Sequence, residues 1–324
     1  MPWNTIGHEW AVNLLARAAA TQPSHAYLFT GPAQIGKLTL ALDFARALNC
    51  VGPGERPCGQ CRSCQAIAAG RHPDVSLVRR LPDKSEIAVK QLRDVQNELN
   101  LRPYEGRWRV AIIENMHEAN LNAANAFLKT LEEPAPQVVL LLTANTPEAL
   151  LLTVRSRCQS VPMRPLPITQ VEEVLRERFG ADSERAAMAA RLSGGRLGWA
   201  MEAIQDEERL AARRELLQTL LDSVPQGRSA QIELAGRLTR GDRDVRGVLD
   251  LWLSWWRDLL LVKGQCAGAI VNLDERERLL RDAGHLELRA IGRYLTIIED
   301  ARQQIEQNVN AQLALEVVLI NAPV

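Results

Sequence analysis

Cys50, Cys58, Cys61 and Cys64 stand at the spacing C-x7-C-x2-C-x2-C. Four thiolates suit a tetrahedral zinc ion, and each C-x2-C step lets one tight turn present two sulfurs. All four positions can be filled by protein, so the expected site is closed and structural. The intervening VGPGERP and GQ are turn-forming and offer little core of their own. A metal can supply the missing stability, on the order of 10 kcal/mol in small zinc modules. A redox dithiol or free thiols are the alternatives the spacing leaves open. Cys158 and Cys266 are far away in sequence and are read as unliganded.

A second constellation is GPAQIGK at residues 31–37. In a G-x-x-x-x-G-K-[ST] loop the backbone N–H groups cradle phosphates, the Lys reaches the β/γ-phosphates and the hydroxyl holds Mg²⁺. Gly31, Gly36 and Lys37 fit; Leu38 stands where the hydroxyl belongs. Thr39 is one residue late and points about 100° around the helix, a poor substitute. The second metal-holding position is an acidic residue ending a later strand, and IIENMHEAN places Glu114 there, followed by Asn115. An amide cannot act as a general base. The expectation is a nucleotide-type loop that has lost hydrolysis. The bland alternatives are an accidental glycine turn, and a Glu114 that only caps a solvated loop.

The elements that must position these residues are legible in part. AYLFTG (26–31), WRVAII (108–113) and VVLLLT (138–143) read as buried strands separated by helical stretches such as 118–131. Such alternation indicates a parallel sheet covered on both faces. After Pro162 the strands stop. Pro162, Pro165 and Pro167 punctuate a linker, and residues 168–205 read as short helices broken at Gly180 and Gly194–Gly195. From about 207 onward the pattern is helical, with Leu249, Trp252, Leu253, Trp256 and Leu260 on one apolar face. The expected fold class is α/β plus all-α, with domains at 1–165 (cysteine module 50–64), 166–206 and 207–324.

With 46% hydrophobic and 24% charged residues, composition is that of a soluble globular protein, and formal net charge is zero. A freestanding DNA binder carries a basic excess, so any DNA contact is expected to be local or shared with partners. MPWNTIGHEW lacks a basic region followed by an apolar run, and no apolar stretch reaches about 18 residues, so neither a secretory signal nor a membrane span is expected. The expected location is cytoplasmic.

Taken together, HAYLFTGPAQIGK (25–37), the cysteine module after the next helix, HPD (72–74), NAFLKTLEEP (125–134) and SRC (156–158) resemble bacterial clamp-loader subunits of the AAA+ family. The likeness is strong over 1–165, moderate over 166–205, and reaches the C-terminal helices through their position and WLSWWRDLLL. It implies a P-loop domain with an inserted zinc module, a helical lid and a helical collar for oligomerisation. The family has two zinc-bearing kinds of subunit, the ATP-hydrolysing gamma/tau motor and the non-hydrolysing delta prime type. Leu38 and Asn115 sort this chain with the latter. So does Gly198 in SGGRLGWAM (193–201), which occupies the place of the motor's sensor-2 Arg, with Arg196 two positions off. A motor of the tau type also runs on past its third domain.

By resemblance, Arg157 of SRC is an arginine finger that enters the ATP site of a neighbouring subunit, whereas Arg155 lies outside that core. Without the family, a surface Arg or one paired within its own chain is the favoured alternative. The resemblance also implies that the helix carrying Lys129, Glu132 and Glu133 faces a subunit interface or the DNA chamber; a solvated face is the alternative. His25, His72 and His117 are read as structural. The implied assembly is a hetero-pentamer with motor (gamma/tau) and delta subunits. It places the sliding clamp on primed DNA within the DNA polymerase III holoenzyme, a DNA-directed DNA polymerase. A gamma-type ATPase binding MgATP through Lys37 and Glu114, and a DNA-binding adaptor, are the competing functions.

Overall fold

The computed structural model describes residues 3–84, 86–241, 244–306 and 309–323; Val324 lies outside them. The chain divides into two compact units, Met1–Pro167 with Gly195–Trp199, and Ile168–Gly194 with Ala200–Val324.

In chain order the first unit holds α1 (Glu9–Ala20), β1 (Ala26–Thr30), α2 (Lys37–Asn49), α3 (Arg62–Ala68), β2 (Val75–Val78), α4 (Val89–Leu99), β3 (Arg109–Ile113), α5 (Leu121–Glu132), β4 (Val138–Ala144), α6 (Leu152–Arg155) and β5 (Gln159–Pro162). The strands form one five-stranded sheet in the order β2-β3-β4-β1-β5, and every pairing is parallel. Period-two alternation explains why the central strands read as unbroken apolar runs. Tyr27, Phe29, Val110, Ile112, Val139 and Leu141 enter one core with α1 and α2. Ala26, Leu28, Ala111, Ile113, Leu140 and Leu142 enter the other with α4 and α5. The parallel sheet covered on both faces is therefore present, with two further strands, β2 and β5, that the apolar-run criterion did not find. Both are sheet edges of four residues, and only one residue in each is buried.

The remaining helices are α7 (Ile168–Phe179), α8 (Ser183–Ser193), α9 (Leu197–Gln205), α10 (Glu207–Ser223), α11 (Arg228–Leu238), α12 (Val245–Lys263), α13 (Arg276–His285), α14 (Leu288–Glu306) and α15 (Ala311–Ile320). The breaks between α7, α8 and α9 fall at Gly180 and at Gly194–Gly195. In the second unit α12 is the central helix. Leu249, Trp252 and Trp256 are buried as their spacing implies, while Leu253 and Leu260 are only partly covered. Trp255, Leu251 and Leu259 are buried as well, so the apolar face is wider than the stripe. The Trp252 indole donates to Tyr294 Oη at 2.7 Å, and that hydroxyl donates to the Val318 carbonyl at 2.7 Å. Trp256 packs edge-on against both rings. No helix among the described residues is long and apolar enough to cross a membrane.

Candidate functional site

The residues of the nucleotide-type loop gather where the parallel strands end, the edge at which open α/β sheets carry ligand sites. The loop after β1 leads into α2, whose first residue is Lys37. Lys37 is 7% exposed, and its ammonium is already occupied. It donates to the carbonyls of Gly31 (2.6 Å) and Pro32 (2.7 Å) and to Asn145 Oδ1 (3.1 Å). Burial lowers this ammonium to about 8, against the pull of the Glu114 carboxylate, which raises it. Leu38, in the hydroxyl position, is partly buried against the α1–α2 core, and Thr39 is exposed.

Glu114 and Asn115 follow β3. Glu114 lies 3.6 Å from Arg79 Nε. Asn115 adopts a left-handed backbone (φ 52°), its N–H donates to Thr143 Oγ1 at 2.8 Å, and its amide donates to Glu118 at 3.1 Å. The segment at the start of α9 closes onto the same loop: the Gly198 N–H donates to the Gln34 carbonyl at 2.9 Å. A Cβ at Gly198 would sit 2.8 Å from that oxygen, so this close approach excludes a side chain there unless the loop moves. The Arg196 guanidinium is instead 6.0 Å from the centroid of the Trp199 ring.

Asn145 and His117 were not among the residues picked out for the nucleotide site. Asn145 follows β4 directly and meets both Lys37 and His117 Nε2, the latter at 3.3 Å. The available signal was positional: a polar residue one step past an all-buried strand lies beside the other strand ends.

The cysteine module connects α2 to α3. Cys50 and Cys64 are buried, Cys58 and Cys61 half-buried, and the four Sγ atoms lie within 4.8 Å of one another. Sulfurs around a metal at about 2.3 Å are separated by about 3.8 Å in a tetrahedron, and Cys50 Sγ and Cys61 Sγ are 4.0 Å apart. The sulfurs also collect N–H donors: Cys58 N–H to Cys50 (3.3 Å), Cys61 N–H to Cys58 (3.3 Å) and Cys64 N–H to Cys61 (3.5 Å). Gly52 makes room, since a Cβ there would lie 2.5 Å from Cys58 Sγ. Burial opposes ionisation of Cys61, yet the N–H groups of Cys64 and Val51 outweigh it and bring the thiol down to about 6; burial pushes Cys64 up to about 12. The donor set fits a metal such as zinc. Cys158 and Cys266 are free and outside the cluster.

Arg157 sits in the turn between α6 and β5, and its side chain is 34% exposed. Its Nη1 donates to the Thr153 carbonyl (2.8 Å) and to Ser156 Oγ (3.2 Å), and its Nη2 is 2.6 Å from Glu132. Arg155 faces Glu148 at 3.9 Å. Thus Gly31, Gly36, Lys37 and Glu114 form one group, the cysteines a second, and Arg157 a third.

HPD (72–74) is an internal tie. His72 Nδ1 accepts from the Asp74 N–H (3.1 Å), so the ring proton is on Nε2, facing Ser63 Oγ (3.1 Å). Burial holds this imidazole below its ordinary value. Asp74 is fully buried and accepts the N–H groups of Tyr104 (2.7 Å), Glu105 (2.9 Å) and Gly106 (2.7 Å), beside Arg109 at 3.3 Å. Burial raises this carboxyl, but those donors overcome it and hold it below the ordinary range. Removing one partner of a buried pair costs about 3 kcal/mol, so D74A is expected to lose about that in urea unfolding. A carboxyl depressed in the fold contributes fully above its unfolded pKa of about 3.9, and the contribution is lost as pH falls through the lower folded value. Wild-type stability is therefore expected to fall below about pH 4 more steeply than that of D74N. Equal acid slopes would show that Asp74 is not held this way.

A family model described as "DNA polymerase III, delta subunit" matches residues 7–167, and "DNA polymerase III, delta subunit, C terminal" matches residues 207–322. DNA polymerase III subunit delta' of Escherichia coli is 30% identical over 98% of this chain and 94% of its own length. That of Bacillus subtilis is 28% identical over 90% and 89%. DNA polymerase III subunit tau/gamma of Haemophilus influenzae is 26% identical over 98% of this chain but 49% of its own length. Two matching models in chain order, and a relative matched almost end to end, place this chain in the DNA polymerase III delta' family.

Proposed function

We propose that this chain is the stationary, non-hydrolysing subunit of a clamp loader, which presents Arg157 to the ATP site of a neighbouring motor during loading of the sliding clamp on primed DNA. The observation that supports it most is the state of its own nucleotide loop. Its Lys37 keeps the loop's cation, but the residues around it that hydrolysis needs are replaced. Leu38 supplies no Mg²⁺ ligand, Asn115 cannot polarise water, and Gly198 offers no side chain at the position that by resemblance belongs to a sensor-2 Arg. What remains for phosphoryl chemistry is Arg157, whose cationic head stabilises charge on a transferring phosphoryl group in a site the chain does not own.

In this proposal residues 1–165 form the AAA+ domain, 166–206 its lid and 207–324 a collar that joins motor (gamma/tau) and delta subunits in a hetero-pentamer. Cys50, Cys58, Cys61 and Cys64 hold a structural zinc ion that ties α2 to α3. Zero net charge leaves DNA contact to the assembly rather than to this chain alone.

One observation favours a second function. Lys37 and Glu114 are both present, as a gamma-type ATPase requires, and the tau/gamma relative matches 98% of this chain. An ATPase assay on the isolated chain separates the two. The expected outcome is no turnover above background. L38T with N115E is expected to restore little, because Gly198 still leaves the sensor-2 position empty. Turnover that disappears in K37A would establish the motor instead.

A further inference from the structure

The two acidic residues of KTLEEP differ in the structure. Glu132 ends α5 and meets Arg157 Nη2 at 2.6 Å, whereas the Glu133 side chain has no polar partner among the described residues. Both ends of the Glu132–Arg157 contact are anchored by buried neighbours. Phe127 and Leu131 seat α5, and Val154 seats α6, in the same core. The contact therefore joins two side chains at the surface of a fixed frame.

An exposed ion pair adds little to folding stability, so its consequence lies in where it holds the guanidinium. Arginine has five N–H donors. The two on Nη1 are directed at the Thr153 carbonyl and Ser156 Oγ, and Nη2 gives one to Glu132. The Nε–H and the second Nη2 hydrogen have no partner among the described residues. A long, rotamer-rich side chain is thus held at its head by three contacts while two donors stay unused, which suits a group that must meet phosphate oxygens without first being ordered.

We propose that Glu132 is a positioning residue for Arg157: it holds the guanidinium oriented for the nucleoside triphosphate of the neighbouring subunit. This rests on the trans-acting role proposed above. Glu132 touches no reacting atom; it acts through Arg157, and the amide oxygen of a glutamine can accept the same hydrogen bond.

The test is steady-state ATP hydrolysis, stimulated by clamp and primed DNA, in the reconstituted assembly carrying this chain as E132A, E132Q, R157A or E132A with R157A. E132A is expected to lower kcat by roughly two- to fivefold, at least half of the R157A loss, with the KM for ATP unchanged. E132Q is expected to retain most of the rate. In the R157A background E132A is expected to add no further loss, which a merely structural role would not produce. A wild-type or faster rate for E132A, with R157A slow, overturns the positioning role alone. An added loss in the R157A background overturns it too. A normal rate for R157A overturns the trans-acting role and this one with it.

Discussion

Replacing Cys61 with Ser is expected to abolish the proposed zinc binding and to loosen residues 50–70. Cys61 is central to the cluster: its sulfur is 4.0 Å from Cys50 Sγ and accepts the Cys64 N–H, while its own N–H reaches Cys58 Sγ. Between the end of α2 at Asn49 and the start of α3 at Arg62 there is no helix or strand, so little regular structure besides the four cysteine side chains holds this segment. Structural zinc in small modules contributes on the order of 10 kcal/mol, and a hydroxyl is a poor replacement for a thiolate ligand. Because the flanking Leu48 and Ile67 are in the α1–α2 core, the damage is expected to spread into the ends of α2 and α3 but not across the sheet. Elemental analysis of chelator-washed wild-type protein is expected to give about one zinc per chain. Hydrogen exchange and limited proteolysis of C61S are expected to open at residues 50–70. Metal-free wild-type protein with undiminished protection there would sink the structural-zinc proposal.

Arg157→Ala is expected to leave the chain folded and assembled while clamp- and DNA-stimulated ATP hydrolysis by the loader falls, and clamp loading with it. The folding cost is small, because a pair with Arg157 34% and Glu132 49% exposed is screened by solvent. Assembly is expected to survive because, in the proposal above, residues 207–324 carry most of the association. At the one site that Arg157 would serve under this proposal, the expected loss is large, since arginine fingers contribute about 10³–10⁵ in rate in well-studied GTPases. The whole loader is expected to lose less, because in the proposed hetero-pentamer the motor subunits would retain fingers for their other sites. R157K is expected to do poorly as well: an ammonium is a point charge without the planar fork that meets two phosphate oxygens. Normal loading by an intact R157A assembly would reduce SRC to a structural motif.

Much of the fold is legible in the sequence because its signals are local. β1, β3 and β4 are buried on both faces, so their apolar runs needed no knowledge of neighbours. The cysteine spacing and the missing hydroxyl at Leu38 are likewise properties of short segments, and so are the glycine breaks between α7, α8 and α9. β2 and β5 escaped because an edge strand is covered on fewer sides and carries a mixed pattern. Trp255 escaped the stripe on α12 because α10, α13 and α14 all pack against that helix, which periodicity on one face does not register.

Sequence alone was enough to single out the candidate residues: four cysteines at metal spacing, a glycine loop with Leu38 in place of a hydroxyl, and an arginine in SRC. Which groups meet was decided by tertiary structure, because the contacts join residues far apart in the chain. Lys37 bonds to Asn145, 108 positions away, only because β1 and β4 are neighbours in the sheet. Gly198 reaches Gln34 only because the start of α9 folds back onto the loop. Glu132 meets Arg157 only because one core seats both α5 and α6. Residue types and spacing report what a segment can bind; the partner of each polar group depends on strand order and helix packing, which act over the whole chain.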